Sequence, residues 1–223
     1  MKKIIPIVQS KLKHMIEVPK AIYEATGIIV NGKRIKSFVF STDVAIIANC
    51  NADAVLAVYP FTPTLQITKS IIEVAHKPVF AGVGGGTTKG PRVEKIAFDA
   101  ELNGAYGVVL NAPTETEFVQ DLKEKIDIPI VLTIVSINEP LEERMLHSGA
   151  DIINVSGGKH TAEIVKALRR IDAHFPIVAT GGPTEETIRE VIQAGANAVT
   201  YTPPTNGEIF RELMEKYRKE CAK

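Results

Sequence analysis

The sequence lacks tryptophan, has two cysteines, and spends only 6% of its 223 residues on aromatics. Cys50 and Cys221 are too few and too far apart for a disulfide framework or a zinc site, which needs clustered thiol or imidazole ligands. An excess of one charge is missing as well. The 26 Lys and Arg balance 26 Asp and Glu, so no global field points at a polyanion, and neither nucleic acid nor an acidic membrane surface is expected as a partner. No uncharged run reaches the roughly 20 residues that span a bilayer. The apolar start at Met1 breaks at Gln9-Ser10-Lys11, far short of a secretory core. No Gly-, Ser- or Pro-rich linker interrupts the chain. These absences predict a soluble, cytoplasmic protein with one domain over residues 1–223.

What the sequence does have is aliphatic. Hydrophobic residues make up 45%, enough for a sizeable core and against dominant disorder. Short β-branched segments alternate with amphipathic stretches, and the strand candidates enter in two ways. One set follows a lone proline: Pro78-Val79-Phe80, Pro129-Ile130-Val131 and Pro176-Ile177-Val178. The other follows a small-residue turn, as in Ala52-Asp53-Ala54-Val55, Ala105-Tyr106-Gly107-Val108, Ala150-Asp151-Ile152-Ile153 and Ala196-Asn197-Ala198-Val199. The sets interleave with a repeat of 46 to 51 residues, or two strand–helix units of about 24 each, the signature of a (β/α) array. Segments such as Val108-Val109-Leu110 are apolar on both faces, as parallel strands covered on both sides require. Charged amphipathic patterns separate them, over 115–125, 161–173 and 184–194. The last starts at Thr184 with Thr187 three residues on and Glu185 and Glu186 in the first turn.

Seven strands from residue 54 onward, plus Ser37–Ser41, predict a closed (β/α)8 TIM barrel over 37–223. Residues 1–36 form an N-terminal extension with a β-hairpin turning at Asn31-Gly32. Ile4–Val8 is an alternative first barrel strand, and Ile28, Ile29 and Val30 of the hairpin are a candidate surface for self-association.

Active sites of such barrels sit at the C-terminal strand ends. The residues there are Thr42 and Asp43; Tyr59; Gly84, Gly85, Gly86 and Lys89; Asn111; Thr133 and Ser136; Asn154, Ser156, Gly157, Gly158 and Lys159; Thr180, Gly181 and Gly182; Tyr201 and Thr202. Few of them do acid–base work. Asp43 reads as a general base or as a helix N-cap. His160 is the one histidine at this end; His14, His76, His147 and His174 fall in helices or before strands. Carboxylates and imidazoles do not cluster there, so no metal is expected. Gly82 to Arg92 is glycine-rich but lacks the Gly-Lys-Ser/Thr of a P-loop. It reads as a mobile loop, with Lys89 and Arg92 able to meet an anion. Tyr59 and Tyr201, on strands two steps apart around the ring, are placed to stack on a ligand ring.

The stretch Ile177-Val178-Ala179-Thr180-Gly181-Gly182-Pro183-Thr184, continuing to Ala194-Gly195-Ala196, resembles the phosphate-binding (β/α)8 barrels. These are the ribulose-phosphate-binding group and relatives such as thiamine-phosphate synthase, N-acylmannosamine-6-phosphate epimerase and IMP dehydrogenase. The resemblance covers the last quarter of the chain. It implies that Gly181-Gly182 after strand seven, with the end of strand eight, grips a phosphate through backbone N–H groups and a helix end. Where the family has Gly-Ser, this chain has Thr200 to Gly207, so Thr202, Thr205 and the Gly207 N–H take that place. Asn154 to His160 would form a second wall.

The leading expectation is an enzyme of isomerase or lyase type on a phosphorylated small metabolite, using Asp43, Lys89, Lys159 and His160. Barrels similar to the class I aldolases carry a lysine on a strand, and strands three to eight here have none. The first alternative is a non-catalytic phosphometabolite sensor, similar to the glycerol-3-phosphate-responsive antiterminator barrels. A barrel holding FMN or another phosphate-bearing cofactor against Tyr59 or Tyr201 follows. Hydrolysis ranks lower, since no Ser-His-Asp or metal constellation is present. Self-association is expected, as such barrels often dimerise.

Overall fold

A computed structural model describes residues 16–221. Eight parallel strands close a barrel in chain order: β3 (Ser37–Phe40), β4 (Ala54–Ala57), β5 (Val79–Gly85), β6 (Gly107–Asn111), β7 (Ile130–Ile134), β8 (Ile152–Val155), β9 (Ile177–Thr180) and β10 (Ala198–Tyr201), with β10 pairing back onto β3. Around them lie α1 (Val44–Ala48), α2 (Leu65–Ala75), α3 (Pro91–Leu102), α4 (Thr116–Lys123), α5 (Thr161–Ile171), α6 (Glu185–Gln193) and α7 (Asn206–Cys221), with a π-helical turn over Glu143–His147 where the fifth barrel helix belongs. The (β/α)8 expectation holds. The ring closes with Ser37–Phe40 as its first strand, and Ile4–Val8 and His14 lie outside the described residues.

The hairpin forms as Asn31-Gly32 demands. β1 (Ile28–Val30) and β2 (Lys33–Ile35) pair antiparallel with Val30 opposite Lys33, and both turn residues take positive φ, 47° and 79°, as a two-residue hairpin turn requires. Its role differs from the expected surface for self-association. Ile28, Val30 and Ile35 are buried against Phe38, Phe80, Ile152, Val178 and Ala198, so the hairpin plugs the N-terminal end of the barrel, and of its apolar residues only Ile29 remains exposed.

The small-residue turns of the repeat have a physical role at that end. Asp53 Oδ2 accepts the Lys36 and Ser37 N–H groups at 2.8 and 3.1 Å. Asp151 Oδ2 accepts the Ile130 N–H at 2.8 Å, and Asn197 Oδ1 accepts the Ile177 N–H at 3.0 Å. Each of these residues satisfies the first N–H of the preceding strand, a donor the ladder leaves over. The prolines of the other set accept in turn: Pro78, Pro129 and Pro176 take the N–H groups of Val55, Val108 and Ile153. Arg169 adds a further tie, donating to the Gly195 and Phe175 carbonyls and to Asn197 Oδ1.

Outward strand residues pack with the helices in one core, and inward residues form a second, smaller core with the hairpin. Phe38 and Phe80 meet edge to face inside the barrel, their ring centres 5.2 Å apart.

Candidate functional site

One alternation step above the inner core, the wall changes chemistry. Val109, Val131, Ile152, Val178 and Ala198 face inward on β6 to β10, so period-two geometry turns Asn111, Thr133, Asn154, Thr180 and Thr200 inward at the next level. On β3 to β5 the same step places Phe40, Val58 and Gly82. The open end of the barrel is therefore a polar crescent on five strands facing an apolar crescent on three.

Asn154 is 6% exposed. Its Nδ2 donates to Thr133 Oγ1 at 3.2 Å, and its Oδ1 is buried without a partner. Flipping the amide exchanges the two ends and still leaves one bare. Thr200, 5% exposed, turns its hydroxyl to the Ala179 carbonyl at 3.4 Å.

The remaining predicted residues are distributed around the rim. Asp43 caps α1, its Oδ1 accepting the Ala45 and Ile46 N–H groups at 2.9 and 3.2 Å. That is the helix-cap alternative of the two weighed for it. His160 is exposed, with Nδ1 3.2 Å from Glu163 Oε2, and Lys159 is exposed beside it. Ser156 is exposed just past the end of β8, while Gly157 donates its N–H to Thr161 Oγ1. Tyr59 accepts the Thr64 N–H at 2.9 Å and lines a cavity of about 230 Å³ with Val58, Phe61, Gly82, Gly86 and Asn111. Tyr201 packs against the outer core, and burial pushes its phenol pKa up. The two tyrosines therefore do not share the interior: on β10 the inward residue is Thr200, with Thr202 exposed beyond it.

The glycine-rich segment after β5 is held rather than loose. Gly84 and Gly85 belong to the strand beyond a bulge at Gly82/Gly84, Gly85 donates to the Thr88 carbonyl at 2.9 Å, and Gly86 to the Pro113 carbonyl at 3.0 Å. A Cβ at Gly85 would lie 2.0 Å from the Asn111 carbonyl oxygen, so the strands' close approach requires glycine there.

Gly181 and Gly182 also have reasons within the fold. A Cβ at Gly181 would sit 2.5 Å from Val199 Cγ1 and 2.8 Å from Ile188 Cγ1, and Gly182 has φ +72°. The Gly181 N–H already donates to the Thr200 carbonyl. At the start of α6, Thr184 and Thr187 form the capping box that their spacing suggests. The Glu186 carboxyl is held below its ordinary range by its own backbone N–H and the Thr184 hydroxyl. The segment after β10 offers no N–H at Pro203 or Pro204, and Thr205 and Glu208 close the start of α7 reciprocally. Both helix starts thus carry a carboxylate of this chain, which opposes a second anion at the same place.

Sequence reasoning passed over Arg144 and Glu139. Arg144 is 6% exposed; its Nη1 donates to the Thr114 carbonyl at 2.7 Å. Its Nε lies 2.9 Å from Glu139 Oε2, close enough for an ion pair though not aligned as a hydrogen bond, and its Nη2 has no partner. Glu139 Oε1 accepts the Val135 and Ser136 N–H groups, so the pair ties the loops after β6 and β7 at the rim. An arginine within a charged helical stretch carries no sequence signal for this. Thr200 did have one: Val131-Leu132-Thr133, Ile152-Ile153-Asn154, Val178-Ala179-Thr180 and Ala198-Val199-Thr200 share one apolar–apolar–polar step. Lys77 and Cys50, whose ammonium is pushed down and whose thiol is pushed up by burial, lie at the closed end. Among the described residues no group of three His, Cys, Asp or Glu is placed to hold a metal, and no helix is long and apolar enough to cross a membrane.

The sequence matches no family model and no curated protein. Solved structures do match. The 4-hydroxy-tetrahydrodipicolinate synthase of Methylacidiphilum fumariolicum SolV superposes with a TM-score of 0.61 at 15% identity, over 76% of this chain and 68% of that one. A phosphonopyruvate hydrolase complexed with oxalate and Mg²⁺ gives 0.57 at 15%, over 85% and 81%. A mandelate oxidase variant with an FMN adduct gives 0.61 at 16%, over 80% and 68%. At such identities the likeness is one of fold: the chain is a (β/α)8 barrel, as are this synthase, this hydrolase and this oxidase.

Proposed function

We propose that this barrel is an enzyme that takes a small phosphorylated metabolite into its open end and performs isomerase- or lyase-type proton transfer on it. The observation that carries the reading is Asn154. A buried amide end without a partner costs about 1–3 kcal/mol, and this one belongs to the layer it shares with Asn111, Thr133, Thr180 and Thr200. A ligand hydroxyl or carbonyl meeting the free amide end recovers that cost. For the anion, the ends of β8 and β9, which are hydrogen-bonded neighbours, bring Ser156–Gly158 and Thr180–Gly182 to adjacent positions, with Lys159 as the nearby cation. The carboxylates at the starts of α6 and α7 favour the Lys159 side. With Asp43 committed to its cap, proton transfer falls to His160 and Lys159, while Lys89 stands away from them, beside Val93 and Phe118 on the outer side of the β5–α3 connection.

A second reading, ligand sensing without turnover, is favoured by the inner wall itself, whose five polar positions are amides and hydroxyls with no group that titrates near neutrality. The cofactor alternative fits less well, because Tyr201 faces outward and Tyr59 alone lines the cavity, so the residues for clasping a flavin ring are not assembled. Self-association belongs to the proposal too. α7 buries none of its side chains and exposes Phe210 and Tyr217, a better face for it than the hairpin.

The test is Asn154→Leu, followed by thermal unfolding with inorganic phosphate and a panel of sugar phosphates. Parent protein should gain Tm with at least one ligand. The variant should match or exceed the parent's stability without ligand and lose the ligand-induced gain. A full gain retained in the variant sinks the proposed site. Turnover of the stabilising ligand, abolished in His160→Gln or Lys159→Met, separates enzyme from sensor.

A further inference from the structure

We propose that the cavity on the outer side of the Gly85–Gly90 turn binds a free apolar α-amino acid. It measures about 280 Å³ and lies between the β5–α3 and β6–α4 connections, near the lower bound of small-molecule sites. Its apolar surface comes from Val93, Pro113 and Phe118, and two exposed side chains of opposite charge, Lys89 and Glu115, stand at its edge. Among the described residues neither is ion-paired, with the other or with anything else. One cation and one anion around an apolar pocket match a carboxylate, an ammonium and an apolar side chain carried on a single carbon. A simple fatty acid leaves Glu115 unanswered, and a simple amine leaves Lys89 unanswered.

The site is separate from the polar crescent, and its binding does not depend on the reading given to Asn154. The two cavities nevertheless share a wall, since Gly85 and Thr88 line both. An occupant packed on this turn from outside lies one backbone thickness from the side of the open end that carries Asn111, and any coupling between the two acts equally in both directions.

Calorimetric titration of the full chain with L-leucine and L-phenylalanine tests the proposal, with isoamylamine and isocaproate as controls lacking one charge each. Saturable binding of at least one amino acid is expected. Lys89→Gln and Glu115→Gln should each weaken it about tenfold or more, while Asn154→Leu leaves it unchanged. Both variants remove a charge at an exposed position, and circular dichroism checks their folding. Absence of saturable binding overturns the proposal. So does equal binding of amine, acid and amino acid, or affinity indifferent to both charge variants.

Discussion

The two ends of the barrel are built from the same eight strands and obey opposite rules. At the closed end, Asp53, Asp151 and Asn197 each accept the first N–H of the preceding strand, and an apolar hairpin fills the bore. Two residues further along the strands, side chains of similar size become Asn and Thr, Asn154 keeps a bare amide end, and Arg144 a bare Nη2. The difference teaches where the fold satisfies its polar groups and where it does not. Polar groups at the closed end complete the fold, whereas at the open end Asn154 and Arg144 each keep a buried polar atom without a partner.

The largest effect should come from breaking the closed end. Phe80→Ala removes a fully buried ring packed on Phe38 and should cost about 3–5 kcal/mol in denaturant unfolding; a loss below about 1 kcal/mol would show that the inner core is not packed as described. Gly181→Ala comes next, because the added Cβ meets Val199 and Ile188. A destabilisation of about 1–3 kcal/mol is expected, and unchanged stability with lost phosphate binding would instead make this glycine a ligand contact. Asp151→Ala leaves the Ile130 N–H without its acceptor and should cost about 1–2 kcal/mol. Asn154→Leu, its counterpart at the open end, should cost nothing. If the two variants lose equal stability, the contrast between the ends fails.

Asp43→Asn should be nearly silent in stability, within about 0.5 kcal/mol, since asparagine caps helices as well as aspartate does. It should also leave any turnover intact, and a collapse of turnover would restore Asp43 as a base. The smallest effect is in acid. The Glu208 carboxyl is held below its ordinary range by the Thr205 N–H and hydroxyl. Its folded pKa lies below the unfolded one, so its contribution is present above the ordinary carboxylate range and is lost as pH falls through the lowered value. Tm profiles of the parent and Glu208→Gln should therefore converge in acid, and parallel profiles would count against the cap.

Much of this was legible in the sequence. The strand starts, the Asn31-Gly32 turn and the Thr184–Thr187 cap depend on a few neighbouring residues, and each is found where its local pattern places it. The candidate site was legible only in part. The strand-end positions of Asn111, Thr133, Asn154 and Thr180 are visible in the sequence, whereas Tyr201 stands out beside Thr200, and the glycines of Gly82–Arg92 suggest a mobile loop although Gly85 belongs to β5 and lies tight against Asn111. Arg144 gave no sign, because its partners, Thr114 and Glu139, come from two different loops.

The sequence by itself determined the architecture: a 24-residue beat of apolar strand and amphipathic helix is a local property, and parallel strands covered on both faces have few ways to close. Only the tertiary structure decided which residue of each adjacent pair faces the bore, because adjacent side chains of a strand point to opposite faces and a shift of one residue exchanges inside for outside. That orientation is set by the register of neighbouring strands around the closed ring. It is what turns Thr200 inward and Tyr201 outward, seats Ile28 and Val30 in the closed end, and leaves Asn154 with a bare amide end at the other.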